Sequence, residues 1–280
     1  MISRRTVLIG AGTVAAVGVG SALEMGARRR TSLLHRLGLV DSPDRTFPDS
    51  HTPVVSGTLA SAHMTRTVGW SLSRPVGALS GIVYCLHGHN EDHRFAFDEI
   101  HLPDAAAFVG ARVAIAAVDG GADTYWHRRA DGEDPLAMLL DEFVPMIERR
   151  VATKRRALLD WSMGGYGALL AAETAPDRFR AVAAASPALW MSPGATPADA
   201  FDDAEDYHRN DVYRDAARLA TVTVRIDCGT GDPFYQAARK FAGDLHPEPE
   251  ASFGSGFHDA AYWRSVAPRQ LRTINRALTR

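Results

Sequence analysis

Apolar and polar residues follow two patterns along this chain, and both begin at about residue 53. Residues 54–73, VVSGTLASAHMTRTVGWSLS, alternate with a period of two, which predicts two antiparallel strands. Short continuous apolar runs then recur and predict buried strands at Ile82–Leu86, Val113–Val118, Ala157–Asp160, Ala181–Ala185 and Val222–Asp227. Strands that alternate with helical segments predict an α/β domain, in which helices cover both faces of a mostly parallel sheet.

The clearest helical pattern lies between the second and third of these runs. Its apolar residues recur on one helix face, at Leu136, Leu139, Leu140, Phe143 and Ile147. Pro145 lies inside the pattern, and it should kink or divide the helix because proline lacks a backbone N–H. The chain has no internal repeat, so the sequence predicts one α/β domain over residues 53–280.

The first 52 residues do not share this patterning. Two adjacent arginines in SRRTVL, residues 3–8, precede a Gly/Ala-rich apolar run that ends near residue 25. This arrangement is typical of an export signal and resembles the bacterial twin-arginine signal, while an uncleaved membrane anchor is the alternative. We therefore expect a signal or anchor over 1–26, a linker over 27–52, and an exported protein of the cell envelope or external medium. The N-terminus would allow membrane association.

Composition excludes several other classes of protein. The net charge of −2 gives no reason to expect a nucleic-acid partner. Cys85 and Cys228 are the only cysteines, which excludes both a disulfide framework and a cysteine-based zinc site. Both lie in apolar runs, where we expect buried, unreactive thiols.

The most specific motif is ALLDWSMGGYGALLAAETAPDRF, residues 157–179. An apolar strand leads directly into Ser162, then into small residues and a helix, which is the setting of a nucleophile elbow. The small residues supply room for a strained serine backbone, and the helix N-terminus adds a partial positive charge. Asp160 departs from the usual glycine two residues before the serine. It either crowds the elbow or places a carboxylate beside the pocket, and the sequence leaves both open.

A nucleophilic serine needs a base and an orienting acid, which follow it in the order acid, histidine in such folds. Asp232 lies in a loop after the last apolar strand, and His258 lies in the glycine-containing stretch FGSGFHDAAYW. Asp227 and Asp259 are alternative acids, but Asp227 falls within the strand and Asp259 adjoins the histidine. The sequence therefore favours Ser162, Asp232 and His258.

Three stretches together resemble the esterase D family of α/β-hydrolases, which includes S-formylglutathione hydrolases, feruloyl and acetyl esterases and mycolyltransferases. They are SMGGYG at 162–167, LHG at 86–88, and GFHD at 256–259 with YWR at 262–264. The similarity covers roughly residues 54–280. It implies the α/β-hydrolase fold, a triad of Ser162, Asp232 and His258, and an oxyanion hole formed by the backbone N–H groups of Met163 and His89.

Two further segments relate to the substrate. TYWHRR, residues 124–129, resembles the family loop beside the acyl pocket and is expected to bring Tyr125 and Trp126 near the substrate. Residues 186–220 are too long for a plain connection and predict a small cap-like insertion. Trp190, within that insertion, is expected to wall a hydrophobic acyl site.

The stretch CLHGHNEDH, residues 85–93, raises the alternative of a zinc site. His87 and His89 match the start of the metal-binding pattern H-x-H-x-D-H, but Asp92 and His93 come one residue late. A tight metal turn fixes which side chains converge, so this slip argues against a metal. We expect a turn that His87 braces by hydrogen bonding, with neither a metal nor a cofactor.

These observations predict an exported serine esterase that works through an acyl-enzyme on a small-molecule, lipid or sugar ester. An acyltransferase, in which a sugar hydroxyl replaces water, would use the same residues. A second alternative is a surface binding protein with weak catalysis. The intact serine, acid and histidine argue against it, whereas the unusual Asp160 is consistent with it.

Overall fold

The computed structural model describes residues 30–280, and within this range eight strands form one sheet in the order β1-β2-β4-β3-β5-β6-β7-β8. β1 pairs antiparallel with β2, as does β2 with β4, and the other neighbours are parallel. The strands are β1 Val54–Ser61, β2 Arg66–Ser73, β3 Gly81–Leu86, β4 Val113–Val118, β5 Arg156–Trp161, β6 Ala181–Ala185, β7 Thr223–Asp227 and β8 Glu250–Ser252. Every predicted strand is present. The sequence gives no signal for β8, because its three residues contain no apolar run.

Most of the helices connect parallel strands, while the first precedes the sheet in the chain and the last follows it. They are α1 at residues 30–36, α2 Phe95–Asp98, α3 Leu102–Phe108, α4 Pro135–Ala137, α5 Val144–Val151, α6 Ser162–Thr174, α7 Ala204–Arg209, α8 Val212–Asp215, α9 Tyr235–Asp244 and α10 Ala260–Thr279. Short 3₁₀ segments lie at Pro176–Arg178, Pro193–Ala195 and Ala216–Thr221. Across residues 30–280, no helix is both long and apolar enough to cross a membrane.

The helix predicted around Pro145 is divided, as expected. A π-helical segment, Met138–Phe143, separates α4 from α5, and Pro145 is the second residue of α5. Proline cannot donate to the carbonyl of Asp141, four residues earlier, so the regular α-helical hydrogen bonding is interrupted here.

Both faces of the sheet are buried, which explains the continuous apolar runs. Along β3, Ile82, Tyr84 and Leu86 belong to the core on one face, while Val83 and Cys85 belong to the core on the other. Helix α6 packs on the first face, and α3 and α10 pack on the second. A mostly parallel eight-stranded sheet with helices on both faces confirms the predicted α/β-hydrolase fold.

The insertion after β6 contains α7, α8 and two of the 3₁₀ segments, and it packs against the α6 side of the core through residues such as Phe201 and Tyr207. The predicted signal or anchor at 1–26 lies outside the described residues. Residues 30–52 of the predicted linker do not form a loose tether. They include α1 and make hydrogen bonds to the domain, for example from Ser42 to Asp259.

Candidate active site

Ser162 lies on a sharp turn between β5 and α6. Its φ angle of 51° falls in the left-handed region, which residues with a side chain rarely adopt. Gly164 permits the turn, because a Cβ atom there would collide with the carbonyl oxygen of Leu86 at the end of β3. The predicted elbow and its need for small neighbours thus have a direct steric cause.

Ser162, His258 and Asp232 meet at the carboxyl edge of the sheet. His258 Nε2 is 2.9 Å from Ser162 Oγ, and His258 Nδ1 is 2.9 Å from Asp232 Oδ2. The Asp232 side chain is fully buried, and its Oδ1 accepts a hydrogen bond of 2.8 Å from the backbone N–H of Phe234. A carboxylate can only accept, so Nδ1 carries the proton and Nε2 is free to accept from the serine hydroxyl.

The two alternative acids are engaged elsewhere. Asp227 is buried and makes two hydrogen bonds of 2.8 Å with the guanidinium group of Arg225. Asp259 caps α10 by accepting the backbone N–H of Tyr262 at 2.8 Å. Of the three acids considered from the sequence, Asp232 is the one whose carboxylate bonds to the His258 ring.

The predicted oxyanion-hole residues lie on two adjoining segments. Met163 is the second residue of α6, so its N–H precedes the first intrahelical hydrogen bond of that helix. His89 lies in the turn after β3, and the neighbouring N–H groups already have acceptors: Gly88 donates to Glu91 Oε2 at 2.7 Å and Asn90 donates to Ala122 O at 2.8 Å.

His87 braces this turn. Its Nδ1 lies 2.8 Å from Gly88 O, and its Nε2 accepts the backbone N–H of Gly120 at 3.0 Å. Burial lowers the pKa of His87, which keeps the neutral ring that this second bond requires. His93 instead bonds to Ser71 Oγ, and the exposed His89 ring bonds to Asn90. Over residues 30–280, no group of three His, Cys, Asp or Glu side chains is arranged to hold a metal ion.

Glu91 is a site residue that the sequence analysis missed. Besides accepting from Gly88, its Oε2 accepts the indole N–H of Trp161 at 2.7 Å. The carboxyl group therefore joins the turn after β3 to the residue that precedes Ser162. Burial raises the pKa of Glu91. In the sequence, Glu91 is distinguished only by its position among the histidines, and that pattern is typical of a metal site.

Aromatic side chains form a wall beside His258. The ring centroid of Phe234 is 5.3 Å from that of His258, Trp190 is 5.5 Å from Phe234, and Tyr125 is 5.1 Å from Trp190. Trp190 and Phe234 are half-buried, so part of each side chain is exposed to solvent. Tyr125 and Trp190, which the sequence predicts to contact the substrate, both belong to this wall, and Tyr125 is buried within it. Phe234 was missed, although it lies only two residues after Asp232.

Trp126 does not line the site, and its predicted role is wrong. The side chain is fully buried and its indole N–H donates to His87 O at 3.2 Å. Its ring fills the space that Gly120 and Gly167 leave by having no side chain. Trp126 therefore packs in the core and bonds to the turn after β3, whereas its neighbour Tyr125 belongs to the aromatic wall.

Asp160 is fully buried between the ends of β3 and β5. The two strands stop pairing at Tyr84 and Leu158, and Asp160 Oδ1 accepts the N–H of Leu86 beyond that point. Its Oδ2 has no hydrogen-bond partner among the described residues. Burial raises the pKa of Asp160 well above its usual value, because a charged carboxylate is poorly solvated there.

A groove of about 750 Å³ opens beside His258 and Asp232. One wall consists of residues 230–233 with Tyr235 and Gln236, and the other of residues of α1. The side chains along it combine apolar and polar groups, namely Leu33, His35, Arg36, Tyr235 and Gln236.

Comparison with known proteins agrees with this geometry. The sequence profile of the Esterase family matches residues 75–273. A ferulic acid esterase superposes with a TM-score of 0.71 at 22% identity, covering 81% of this chain and 98% of its own. S-formylglutathione hydrolase (FrmB) from Staphylococcus aureus gives 0.65 at 19%, covering 81% and 100%. MPT51 (FbpC1) from Mycobacterium tuberculosis gives 0.61 at 17%, covering 79% and 99%. No curated protein matches the sequence.

Proposed function

Because this chain belongs to the Esterase family, we propose that it hydrolyses carboxylic esters through an acyl-enzyme formed on Ser162. His258 is the base, and Asp232 orients it. The observation that carries this proposal is the continuous line of hydrogen bonds from Ser162 Oγ through both nitrogens of His258 to Asp232.

The reaction follows from these positions. Ser162 Oγ attacks the ester carbonyl carbon while His258 Nε2 takes its proton, and Asp232 stabilises the imidazolium. The N–H groups of Met163 and His89 donate to the oxyanion of the tetrahedral intermediate. The C–O bond to the leaving alcohol then breaks, and His258 returns the proton to that oxygen. Water, deprotonated by His258, attacks the acyl-enzyme, which releases the carboxylic acid and restores the serine.

The aromatic wall supports an apolar acyl group as the preferred substrate feature. Trp190 and Phe234 stand between His258 and Tyr125, so an acyl chain attached to Ser162 would have apolar surface to lie against. A small-molecule ester, including one of a lipid or sugar, satisfies this requirement. The same machinery would perform acyl transfer if a sugar hydroxyl entered in place of water.

We also propose that the protein is exported. The support is the sequence at residues 3–25, in which two arginines precede an apolar run. An exported esterase would meet substrates of the cell envelope or the external medium.

The test is hydrolysis of p-nitrophenyl esters of increasing acyl length, with and without trehalose, followed by mass spectrometry of the intact protein. We expect release of p-nitrophenol, a transient mass increase equal to one acyl group, and neither in Ser162→Ala. Acylated trehalose would identify a transferase. Absence of both turnover and acylation in the wild-type protein would refute the proposal and favour a binding protein.

A further inference from the structure

Residues 30–47 lie outside the stretch that matches the Esterase family, yet they pack against the loops that carry His258 and Asp232. We call this stretch, α1 and the extended chain after it, the N-terminal segment. The loop at residues 253–259, which carries His258, is the histidine loop, and the loop at residues 228–234, which carries Asp232, is the acid loop. The N-terminal segment contacts the histidine loop at two residues and the acid loop at one.

Ser42 makes the central contact with the histidine loop. Its Oγ accepts the backbone N–H of Phe257 at 3.0 Å and donates to Asp259 Oδ2 at 2.7 Å. These two residues flank His258 on either side. Ser42 is buried, so the two hydrogen bonds are shielded from competing water.

His35 adds a second contact at the same two residues. Its ring stacks on Phe257 with centroids 3.8 Å apart and planes only 4° from parallel. Its Nε2 lies 3.2 Å from Asp259 Oδ2, while its Nδ1 lies 2.9 Å from Val40 O within the segment. Phe257 and Asp259 are therefore fixed both by hydrogen bonds and by ring contact.

The N-terminal segment also bonds to the acid loop. Ser32 Oγ donates to Gly231 O at 3.0 Å, one residue before Asp232. The acid and histidine loops also bond directly, since the N–H of Gly231 donates to Gly256 O at 2.9 Å. The N-terminal segment thus contacts residues that are adjacent in sequence to both His258 and Asp232.

The histidine loop needs such support because of its own sequence. Gly254 and Gly256 precede His258, and Gly256 has a φ angle of 150°, so the backbone can adopt many conformations when unrestrained. Displacement of a catalytic group by about 1 Å can cost roughly 100-fold in rate.

We propose that the N-terminal segment is a clamp that positions His258 and Asp232 for catalysis, with Ser42 as its main positioning residue. The proposal rests on the function assigned above to Ser162, His258 and Asp232. It makes residues outside the matched stretch a working part of the active site.

Ser42→Ala in the full chain tests the clamp, and Asp44→Asn is the matched control. Asp44 belongs to the same segment, but its two 2.8 Å bonds go to Arg264, which lies on α10 and in neither loop. For Ser42→Ala we expect kcat for a p-nitrophenyl ester to fall about tenfold with KM nearly unchanged. The rate at which a fluorophosphonate probe labels Ser162 should fall in parallel, because labelling uses the same base. Asp44→Asn should keep kcat within about twofold.

Two more variants separate positioning from folding. Ser42→Thr retains the hydroxyl and should recover most of the lost kcat, while Ser32→Ala should lower kcat through the acid loop even if Ser42→Ala folds poorly. The clamp is refuted if Ser42→Ala and Ser32→Ala both keep wild-type kcat and labelling rate. It is equally refuted if Asp44→Asn loses as much as they do. If Ser162→Ala remains active, the proposed function itself fails; if it is inactive and Ser42→Ala is normal, only the clamp fails.

Discussion

The carboxyl group of Asp160 accepts the backbone N–H of Leu86, and this hydrogen bond joins the strand that precedes Ser162 to the strand that leads into the turn containing His89. The pairing of β3 with β5 has ended by this point, so no backbone carbonyl of β5 takes that N–H. The side chain that departs from the usual elbow pattern therefore satisfies a buried donor. Burial raises the pKa of this carboxyl group.

Asp160→Asn should preserve this connection, since its amide oxygen can accept the same N–H. We expect kcat within about threefold of wild type and an unchanged unfolding midpoint. Asp160→Ala leaves the Leu86 N–H buried and unpaired, which should cost about 1–3 kcal/mol of stability and lower kcat as the turn loosens. Urea denaturation and ester hydrolysis measure the two effects. If Asp160→Ala were as stable and active as Asp160→Asn, the hydrogen bond would have no role.

The histidines after β3 should differ sharply from Ser162 in their effect on activity. Ser162→Ala should lower kcat by about 10³-fold or more, because triad residues act as a unit. His89→Ala should cost about tenfold or less, since alanine retains the backbone N–H. His93→Ala should leave kcat nearly unchanged. A chelator should have no effect.

His87 should behave as a structural residue. Its two ring nitrogens bond to Gly88 and Gly120, so His87→Ala should lower the unfolding temperature before it affects chemistry in the protein that remains folded. A metal site predicts the reverse order. Loss of activity on chelation, recovery with Zn²⁺ and an active Ser162→Ala would together refute the serine mechanism.

Features set by local sequence were predictable. The strands follow from apolar runs, and the elbow follows from a serine placed between a strand and a helix with small residues after it. Asp232 was separable from Asp227 because Asp227 falls within the strand. In each case the determining residues lie close together in the chain.

Features set by contacts between distant segments were not predictable. Tyr125 and Trp126 are adjacent, but Trp126 points into the core, where Gly120 and Gly167 leave space for its ring. The polar composition of residues 27–52 is typical of a linker, yet Ser42 bonds to a loop more than 200 residues away. Asp160 likewise needed the position of Leu86 to be understood.

Shortening the aromatic wall should change acyl selectivity. Trp190 contacts both Tyr125 and Phe234, so Trp190→Ala should remove apolar surface that a medium-length acyl chain would cover. Loss of such burial costs on the order of 25 cal/mol per Å², so kcat/KM should fall more for longer acyl chains than for acetate. Met191, exposed and adjacent in sequence, supplies the control Met191→Ala, which should leave the ratio of long-chain to acetyl activity unchanged. An equal loss on all chain lengths in Trp190→Ala would exclude Trp190 from the acyl site.

Replacing the paired arginines should block export. Arg4→Lys with Arg5→Lys keeps the positive charge but removes the twin-arginine pattern, so the protein should accumulate in the cytoplasm. Immunoblots of cytoplasmic, envelope and medium fractions measure this. The single change Arg28→Lys, beyond the apolar run, should leave export intact. Appearance of the double variant in the envelope or medium at the wild-type level would remove the twin-arginine hypothesis.

Glu173, which lies far from Ser162, should make the stability of the protein depend on pH. It lies on α6 eleven residues after Ser162, or about 16 Å along the helix axis. Its side chain is buried, and its Oε1 has no partner within the described part of the chain. Burial, with Asp215 and Asp211 nearby, raises its pKa from 4.5 to about 9.

The folded protein therefore keeps a proton that the unfolded chain loses above pH 4.5, so stability should fall as pH rises from about 4.5 to about 9. Glu173→Gln removes this titration. Relative to wild type, its unfolding free energy should rise by up to about 4 kcal/mol between pH 5 and pH 8, with kcat little changed. Urea denaturation at both pH values measures the gain. Glu205→Gln, an exposed glutamate on α7, should show no such difference. If Glu173→Gln differs from wild type by the same amount at both pH values, Glu173 is already ionised in the folded protein and its pKa is not raised.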